Sequence, residues 1–188
     1  AAALDLGLTD FAAVVYSDGT REKIPNPRHL KARERALAKA QRAYARTQKG
    51  SKNRERARVR VARQHSRVRN ARHDFLHQLS SKLVRENQAV VVEKLAVAGL
   101  ARSMGKGRKG SGFRRSIADA GWGTFLSLLE SKSAEQMRHF ARIDPHYTSQ
   151  TCSVCGVLDG KKPLAVRQWT CGSCGALLDR DYNAAANI

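Results

Sequence analysis

The sequence predicts an α/β chain: a mixed β-sheet with flanking helices, a long basic helical hairpin, and a small four-cysteine insertion near the C-terminus. Three observations predict it. Short apolar runs separated by turn residues open the chain, as strands require. Two series of apolar residues at seven-residue spacing follow, as long helices require. Four cysteines then stand in two C-x2-C pairs, a metal-ligand spacing.

Residues 2–24 read as two or three antiparallel strands. The runs Leu4 to Leu8 and Phe11 to Tyr16 are followed by the turn Ser17-Asp18-Gly19-Thr20 and a short extended piece to Ile24. From Arg28 to about Glu86 the pattern is helical: Leu30, Leu37 and Tyr44 recur every seven residues, as do Val61, Val68 and Phe75, before Leu79 and Leu83. Gln48 to Asn53 breaks this stretch into a hairpin, placed at about 28–87. Ala89-Val90-Val91-Val92-Glu93 is an apolar, β-branched run, predicting a strand buried on both faces with Glu93 at its end. Arg102 to Gly112 is predicted as a glycine-rich basic loop. Residues 117–138 are predicted to be helical with Trp122, Phe125, Leu126 and Leu129 as the apolar stripe, and a strand at Phe140 to Ile143 closes at Asp144-Pro145. Asp179 is placed to cap a last helix that begins around Asp181.

The 188 residues, 41% of them hydrophobic, suit one domain with an insertion and one moderate core. Lys and Arg number 35 against 16 Asp and Glu, a formal charge of +19 that a compact domain tolerates best when a polyanion neutralises it. Nucleic acid is the partner this favours over a merely solvated basic surface, a membrane surface or an acidic protein. Candidate phosphate contacts are Arg42, Arg46, Arg54, Arg58, Arg63 and Arg67 on the hairpin, and Lys106, Arg108, Lys109, Arg114 and Arg115 in and after the basic loop. No stretch approaches the roughly 18 apolar residues of a membrane span. No secretory signal opens the chain, so a soluble, cytoplasmic protein is expected. The sequence opens directly on a strand without Met and closes inside a helix, which reads as a fragment lacking an N-terminal region.

In a reducing compartment, Cys152, Cys155, Cys171 and Cys174 read as metal ligands rather than disulfides. Fifteen residues separate the pairs, and Gly156 and Gly175 follow them, permitting tight turns that aim N–H groups at sulfur. Four thiolates close a tetrahedron around Zn²⁺ with no open position, so a structural zinc is expected, against a redox dithiol or an iron–sulfur cluster.

Three acids stand at element ends: Asp5 in the first strand, Glu93 ending the buried strand, Asp181 in the first turn of the last helix. Each alone has an ordinary structural use. In an RNase H-type sheet, however, the first strand and the later buried strand are neighbours and the C-terminal helix packs beside them. All three could then hold a pair of Mg²⁺ or Mn²⁺ ions, as two-metal phosphodiester hydrolysis requires.

The motifs Leu4-Asp5-Leu6-Gly7-Leu8, Val91-Val92-Glu93-Lys94-Leu95, Ala118-Asp119-Ala120-Gly121-Trp122, Tyr147-Thr148-Ser149-Gln150-Thr151-Cys152 and Leu178-Asp179-Arg180-Asp181-Tyr182-Asn183 together closely resemble the TnpB (OrfB) family, transposon-encoded relatives of the type V CRISPR effectors. The resemblance implies an RNA-guided DNA endonuclease, working in a prokaryotic cytoplasm with guide RNA and target DNA as partners. It implies a RuvC domain with Asp5, Glu93 and Asp181 as catalytic acids, spanning 1–146 and 177–188, with a zinc ribbon at 147–176. The resemblance also implies an N-terminal recognition region, which is expected to be missing from this chain. A nuclease-inactive DNA-binding regulator and a DNA-strand transferase are the competing readings.

Overall fold

The computed structural model describes residues 1–97, 99–100 and 108–188. Strands β1 (Ala2–Leu6), β2 (Asp10–Tyr16) and β3 (Arg21–Pro25) form the expected antiparallel meander. Its β2–β3 turn is set by Gly19 at φ 86° and by Asp18, which accepts from the Thr20 N–H at 2.9 Å. Strand β4 (Ala89–Glu93) then joins β1 in parallel, and β5 (His139–Ile143) joins β4 in parallel, giving a five-stranded sheet of order β3-β2-β1-β4-β5.

Helices α1 (His29–Ala45) and α2 (Lys52–Glu86) form the hairpin between β3 and β4. Ser51 caps α2, its hydroxyl accepting from the Arg54 N–H at 3.1 Å. Only the C-terminal part of α2 enters the sheet's core: Leu76, Leu79, Leu83 and Val84 are buried there, whereas Ala57 is the sole buried residue of α2 before Val68. The basic first half therefore extends beyond the sheet.

The segment after β4 differs from expectation. A helix α3 (Arg108–Ala120) begins inside the stretch read as loop, so Gly110-Ser111-Gly112 are helical, while residues 101–107 lie outside the described residues. The stretch expected to be helical over 117–138 is helical but divided, because α3 stops and α4 (Trp122–Glu135) starts at Gly121. Gly121 sits at φ 70°, and a Cβ there would lie 3.0 Å from Arg72 Cδ and 3.1 Å from Leu76 Cδ1. The helix breaks where it crosses α2 closely, and glycine meets that conformation and that space without the strain a Cβ would bring.

The main core lies between the sheet and helices α2 and α4. Leu4, Val90 and Val92 project into it, and Phe11 meets Phe75 and Phe125 edge-on, each at a centroid distance of 5.1 Å. Truncating such a buried ring typically costs about 3–5 kcal/mol. β4 alternates rather than being buried on both faces: Val90 and Val92 point into this core, and Ala89, Val91 and Glu93 are half-buried opposite. That opposite face is partly covered by α5 (Arg180–Ala186), which lays buried Ala184 and Ala185 against β1 and β2. Strands β6 (Gln168–Thr170) and β7 (Leu177–Asp179) form a separate two-stranded sheet over a small core of Cys152, Trp169, Cys171 and Leu178. No helix among the described residues is long and apolar enough to cross a membrane.

Candidate active site

Strand pleating places Asp5 opposite Leu4 and Leu6, on the face of the sheet that α5 partly covers. The parallel register pairs Leu4 with Val92, so the following rung sets Asp5 beside Glu93, each at the C-terminal end of its strand. Asp181 arrives from the first turn of α5, whose start is fixed by Asp179: that carboxylate accepts from the N–H groups of Asp181 and Tyr182, both at 3.1 Å. Helix α5 rests on β1 and β2, so residues 5, 93 and 181 converge from across the chain.

The electrostatics record that convergence. Burial, then the negative charges of Glu93 and Asp181, push the Asp5 carboxyl up to about 8, with Arg180 opposing. Burial also raises Glu93, countered by the Thr148 hydroxyl, which donates to Glu93 Oε1 at 2.5 Å. Asp181 Oδ1 faces Arg167 at 3.6 Å and its Oδ2 faces Lys23 at 3.9 Å, while Lys23 bonds Asp179 at 2.7 Å. Asp5 and Asp181 open on a cavity of about 320 Å³, walled on its other side by Leu95, Phe113, Trp122 and Leu164. Three clustered carboxylates offer hard oxygen donors of the kind Mg²⁺ and Mn²⁺ take, and their mutual repulsion is what a bound cation would relieve.

Sequence reasoning misses Thr148 and Lys23, whereas Arg167 is legible, with Lys161 and Lys162, as a basic residue between the cysteine pairs that could contact nucleic acid. Thr148 shortly precedes the first cysteine pair and has no metal-ligand or catalytic spacing of its own. Lys23 carries no sequence signal at all, since its role depends on β3 lying beside α5.

The cysteines form the second constellation. Their sulfur atoms all lie within 4.8 Å of one another, with Cys152 to Cys174 and Cys155 to Cys171 both at 3.7 Å. A tetrahedron with metal–sulfur bonds of about 2.3 Å has edges of about 3.8 Å, so the four fit one zinc ion. The two knuckles repeat one geometry: Gly156 N–H bonds Cys152 O at 2.8 Å and Gly175 N–H bonds Cys171 O at 3.0 Å, with both glycines at positive φ (74° and 69°). Burial opposes ionisation of Cys152, but the N–H groups of Cys155 and Val154 and the neighbouring thiols bring it down to about 7.

The two constellations are tied together. Asn183 of α5 accepts from the Ser153 N–H at 2.9 Å and donates to the carbonyls of Thr148 and Thr151, and Asn187 donates to the same two carbonyls at 2.8 and 2.7 Å. The knuckle around Cys152 is thereby fixed to the helix carrying Asp181, and through Thr148 to Glu93.

The six hairpin arginines are not equivalent. Arg54 lies over the Tyr44 ring at 4.3 Å and donates to Thr47 O at 3.0 Å, locking the hairpin turn. Arg58 pairs with Glu55 at 2.6 Å. Arg42 donates to Ala38 O at 3.4 Å. Arg46, Arg63 and Arg67 have no ion-pair partner among the described residues. Arg115 pairs with Glu34 at 3.2 Å and Arg114 is half-buried on α3. Lys106 and the side chains of Arg108 and Lys109 lie outside the described residues.

Comparison with known proteins gives a consistent result. A family profile described as "Probable transposase" (OrfB_IS605) matches residues 1–104, and one described as "Cas12f1-like, TNB domain" matches residues 122–188. The whole chain is 47% identical to a Streptomyces pristinaespiralis protein named "Putative RNA-guided DNA endonuclease", covering 44% of that protein. It is 31% identical over 98% of its length to "Putative RNA-guided DNA endonuclease InsQ" of Escherichia coli K12, covering 47% of it. The chain thus spans about half the length of these relatives. Among solved structures, the Cas12f1 chain of a Cas12f1-sgRNA-target DNA complex shares the fold over the entire chain, with a TM-score of 0.67 at 17% identity, and the chain covers 48% of it.

Proposed function

The chain belongs to the TnpB (OrfB) family, and on that premise we propose that it is the RuvC nuclease portion of an RNA-guided DNA endonuclease encoded by a transposon. The observation that carries the reading is the meeting of Asp5, Glu93 and Asp181 from two parallel strands and a distant helix, close enough for the second and third to raise the first. Relatives named as RNA-guided endonucleases support it, as does a fold shared with an effector solved on RNA and DNA. The nuclease unit comprises residues 1–146 and 177–188, and residues 147–176 are a zinc ribbon inserted before the last acid. Guide RNA and target DNA are its partners, and the bacterial cytoplasm is where it works.

Asp5, Glu93 and Asp181 would hold two Mg²⁺ or Mn²⁺ ions, and Cys152, Cys155, Cys171 and Cys174 one structural Zn²⁺. The catalytic ions, when bound, supply an activated water and stabilise the leaving oxygen of the phosphodiester. Thr148 aims Glu93 through its hydroxyl, and that bond opposes the upward push of burial on the carboxyl. Asp179 and Lys23 fix the first turn of α5 and so the position of Asp181. Arg167, now facing Asp181, carries positive charge to where a phosphate would arrive. The apolar wall of the cavity excludes water from the acids and strengthens their interactions. Unpaired arginines on the projecting hairpin track the phosphate backbone without reading sequence, which base pairing to the guide supplies.

Replacing Asp5 with Ala in the complete protein with its guide tests the reading: Mg²⁺-dependent cleavage is expected to vanish while DNA binding persists. Persistent cleavage would remove Asp5 from the site. Guided binding by the unaltered protein with no cut at any Mg²⁺ or Mn²⁺ concentration would instead identify a regulator, and joined products with transposon ends a strand transferase.

A further inference from the structure

The cavity above the acids does not end there. Leu8 and Thr9, at its rim, also line a second cavity of about 350 Å³, walled by Asn26, Arg28, Lys31, Ser116 and Asp119. Lys31, Ser116 and Asp119 in turn line a third, of about 180 Å³, which reaches Glu34, Gly112 and Arg115. The three form one groove, running from the acids over the Leu8–Thr9 loop and along the seam between the start of α1 and α3.

The groove's floor is built, not incidental. Asp119 sits at the C-terminal end of its own helix, where a negative charge is unfavourable. Both its oxygens accept from the Leu30 N–H at 3.0 Å, capping α1 from 89 residues away, because α1's own cap residue Arg28 provides no side-chain cap. Arg72 clamps the same joint, donating to Ala118 O at 2.9 Å and facing Asp119 at 3.8 Å. Asn26 donates to Leu8 O at 3.0 Å, tying the rim of the catalytic cavity to the start of α1.

Beyond the first cavity, where Asp5, Asp10 and Asp181 line the wall, the groove's free charge is positive. The Asp119 carboxylate is consumed by the α1 amide and Arg72, and Glu34 is consumed by Arg115. Lys31 is exposed and has no ion-pair partner among the described residues. Arg28 is exposed, its guanidinium reaching only the Thr9 carbonyl at 3.5 Å, the outer limit of a hydrogen bond. Its backbone is held left-handed, at φ 48° and ψ 52°, a conformation costly to a residue with a Cβ. Strain of that kind at a site's edge marks a position held by its surroundings for use.

We propose that this groove is a second nucleic-acid subsite, in which the single strand flanking the scissile bond runs past Thr9 and is held through its phosphates by Arg28 and Lys31. The inference rests on the nuclease reading for the direction of the strand, but not for the contact itself. One backbone with splayed bases can follow such a seam, its phosphates meeting the two cations in turn. The interaction reads no sequence, because phosphates carry none.

Binding of a labelled single-stranded DNA without added Mg²⁺ tests the contact apart from the chemistry. Lys31→Ala combined with Arg28→Asn removes both cations while keeping a residue tolerant of left-handed backbone. An unchanged melting temperature confirms the fold, and a changed one moves the measurement to Lys31→Ala alone. The salt dependence of binding should flatten by about 1.4 for the double variant, or about 0.7 for the single, at roughly 0.7 per phosphate contact on single strands. Uncharged methylphosphonate linkages, placed one at a time beside the cut, should weaken binding of the unaltered protein on one side only, and the variant should not feel them there. A variant with the original salt slope, or equal sensitivity to neutral linkages in both proteins, overturns the groove. Cleavage surviving Asp5→Asn would overturn the nuclease reading and leave this binding result standing.

Discussion

Thr148 donates its hydroxyl hydrogen to Glu93 Oε1 at 2.5 Å, across 55 residues of sequence, and it does so from the segment leading into the first cysteine knuckle. The same Thr148 offers its carbonyl to Asn183 and Asn187 of the helix that carries Asp181. One residue thus relates the metal-ligand knuckle to two of the three acids. Replacing it with Val keeps the shape and removes the bond. The expected result is a loss of cleavage of about tenfold or more with a stability loss of only about 1 kcal/mol, read by single-turnover kinetics and denaturant unfolding.

Asp5 is held against its charge. Its folded-state value of about 8 lies far above the ordinary 3.8, so the protonated form stabilises the metal-free fold fully below about pH 4. That contribution is lost as pH rises through 8. Asp5→Asn should therefore melt higher than the unaltered protein at pH 9, by roughly 2–4 °C for each kcal/mol relieved, with the gap closing toward pH 4. Added Mg²⁺ should raise the melting temperature of the unaltered protein and leave the variant's in place. A pH-independent difference between the two would show that Asp5 is ionised throughout.

The cysteine set should hold one zinc per chain by elemental analysis, without the visible absorption of an iron–sulfur cluster. Cys171→Ser should lose that zinc and, with it, several kcal/mol of order in residues around the knuckles. Because Asn183 and Thr148 connect those residues to α5 and Glu93, cleavage should fall with the zinc even though no cysteine touches the acids.

Gly121→Ala should cost about 1–3 kcal/mol in a denaturant midpoint measurement. The new Cβ would be strained at φ 70° and would press on Arg72 and Leu76.

Two arginines that look alike in sequence should separate in experiment. Arg54→Ala should loosen the hairpin turn by about 1 kcal/mol, losing its stacking on Tyr44 and its bond to Thr47, as hydrogen exchange at the turn would show. Arg63→Ala should leave stability alone and weaken nucleic-acid binding with a reduced salt slope.

Local signals in the chain were sufficient for the meander, the hairpin, the existence of the strand ending at Glu93 though not its one-sided burial, the last helix and the paired cysteines. Each depends on nearest neighbours: alternation, seven-residue recurrence, a capping carboxylate, a C-x2-C turn. The expectation failed where a long-range contact overrode the local pattern. The apolar stripe through Trp122 continues smoothly past Gly121, yet the helix breaks there because α2 approaches it. Glycines 110 and 112 read as loop, yet the segment is helical, its C-terminal end joined to α1 through the bond from Asp119 to Leu30.

Residue order alone supplies the groups the chemistry needs: three acids at element ends, four thiols in paired spacing, an excess of cations. Their relations come from packing. The parallel pairing of β1 with β4 sets Asp5 beside Glu93, and the packing of α5 on the sheet brings in Asp181. Burial and mutual repulsion then raise Asp5, and the same packing recruits Thr148, Lys23 and Arg167. Such effects fall off with distance in space and not along the chain, so no pattern of neighbouring residues encodes them.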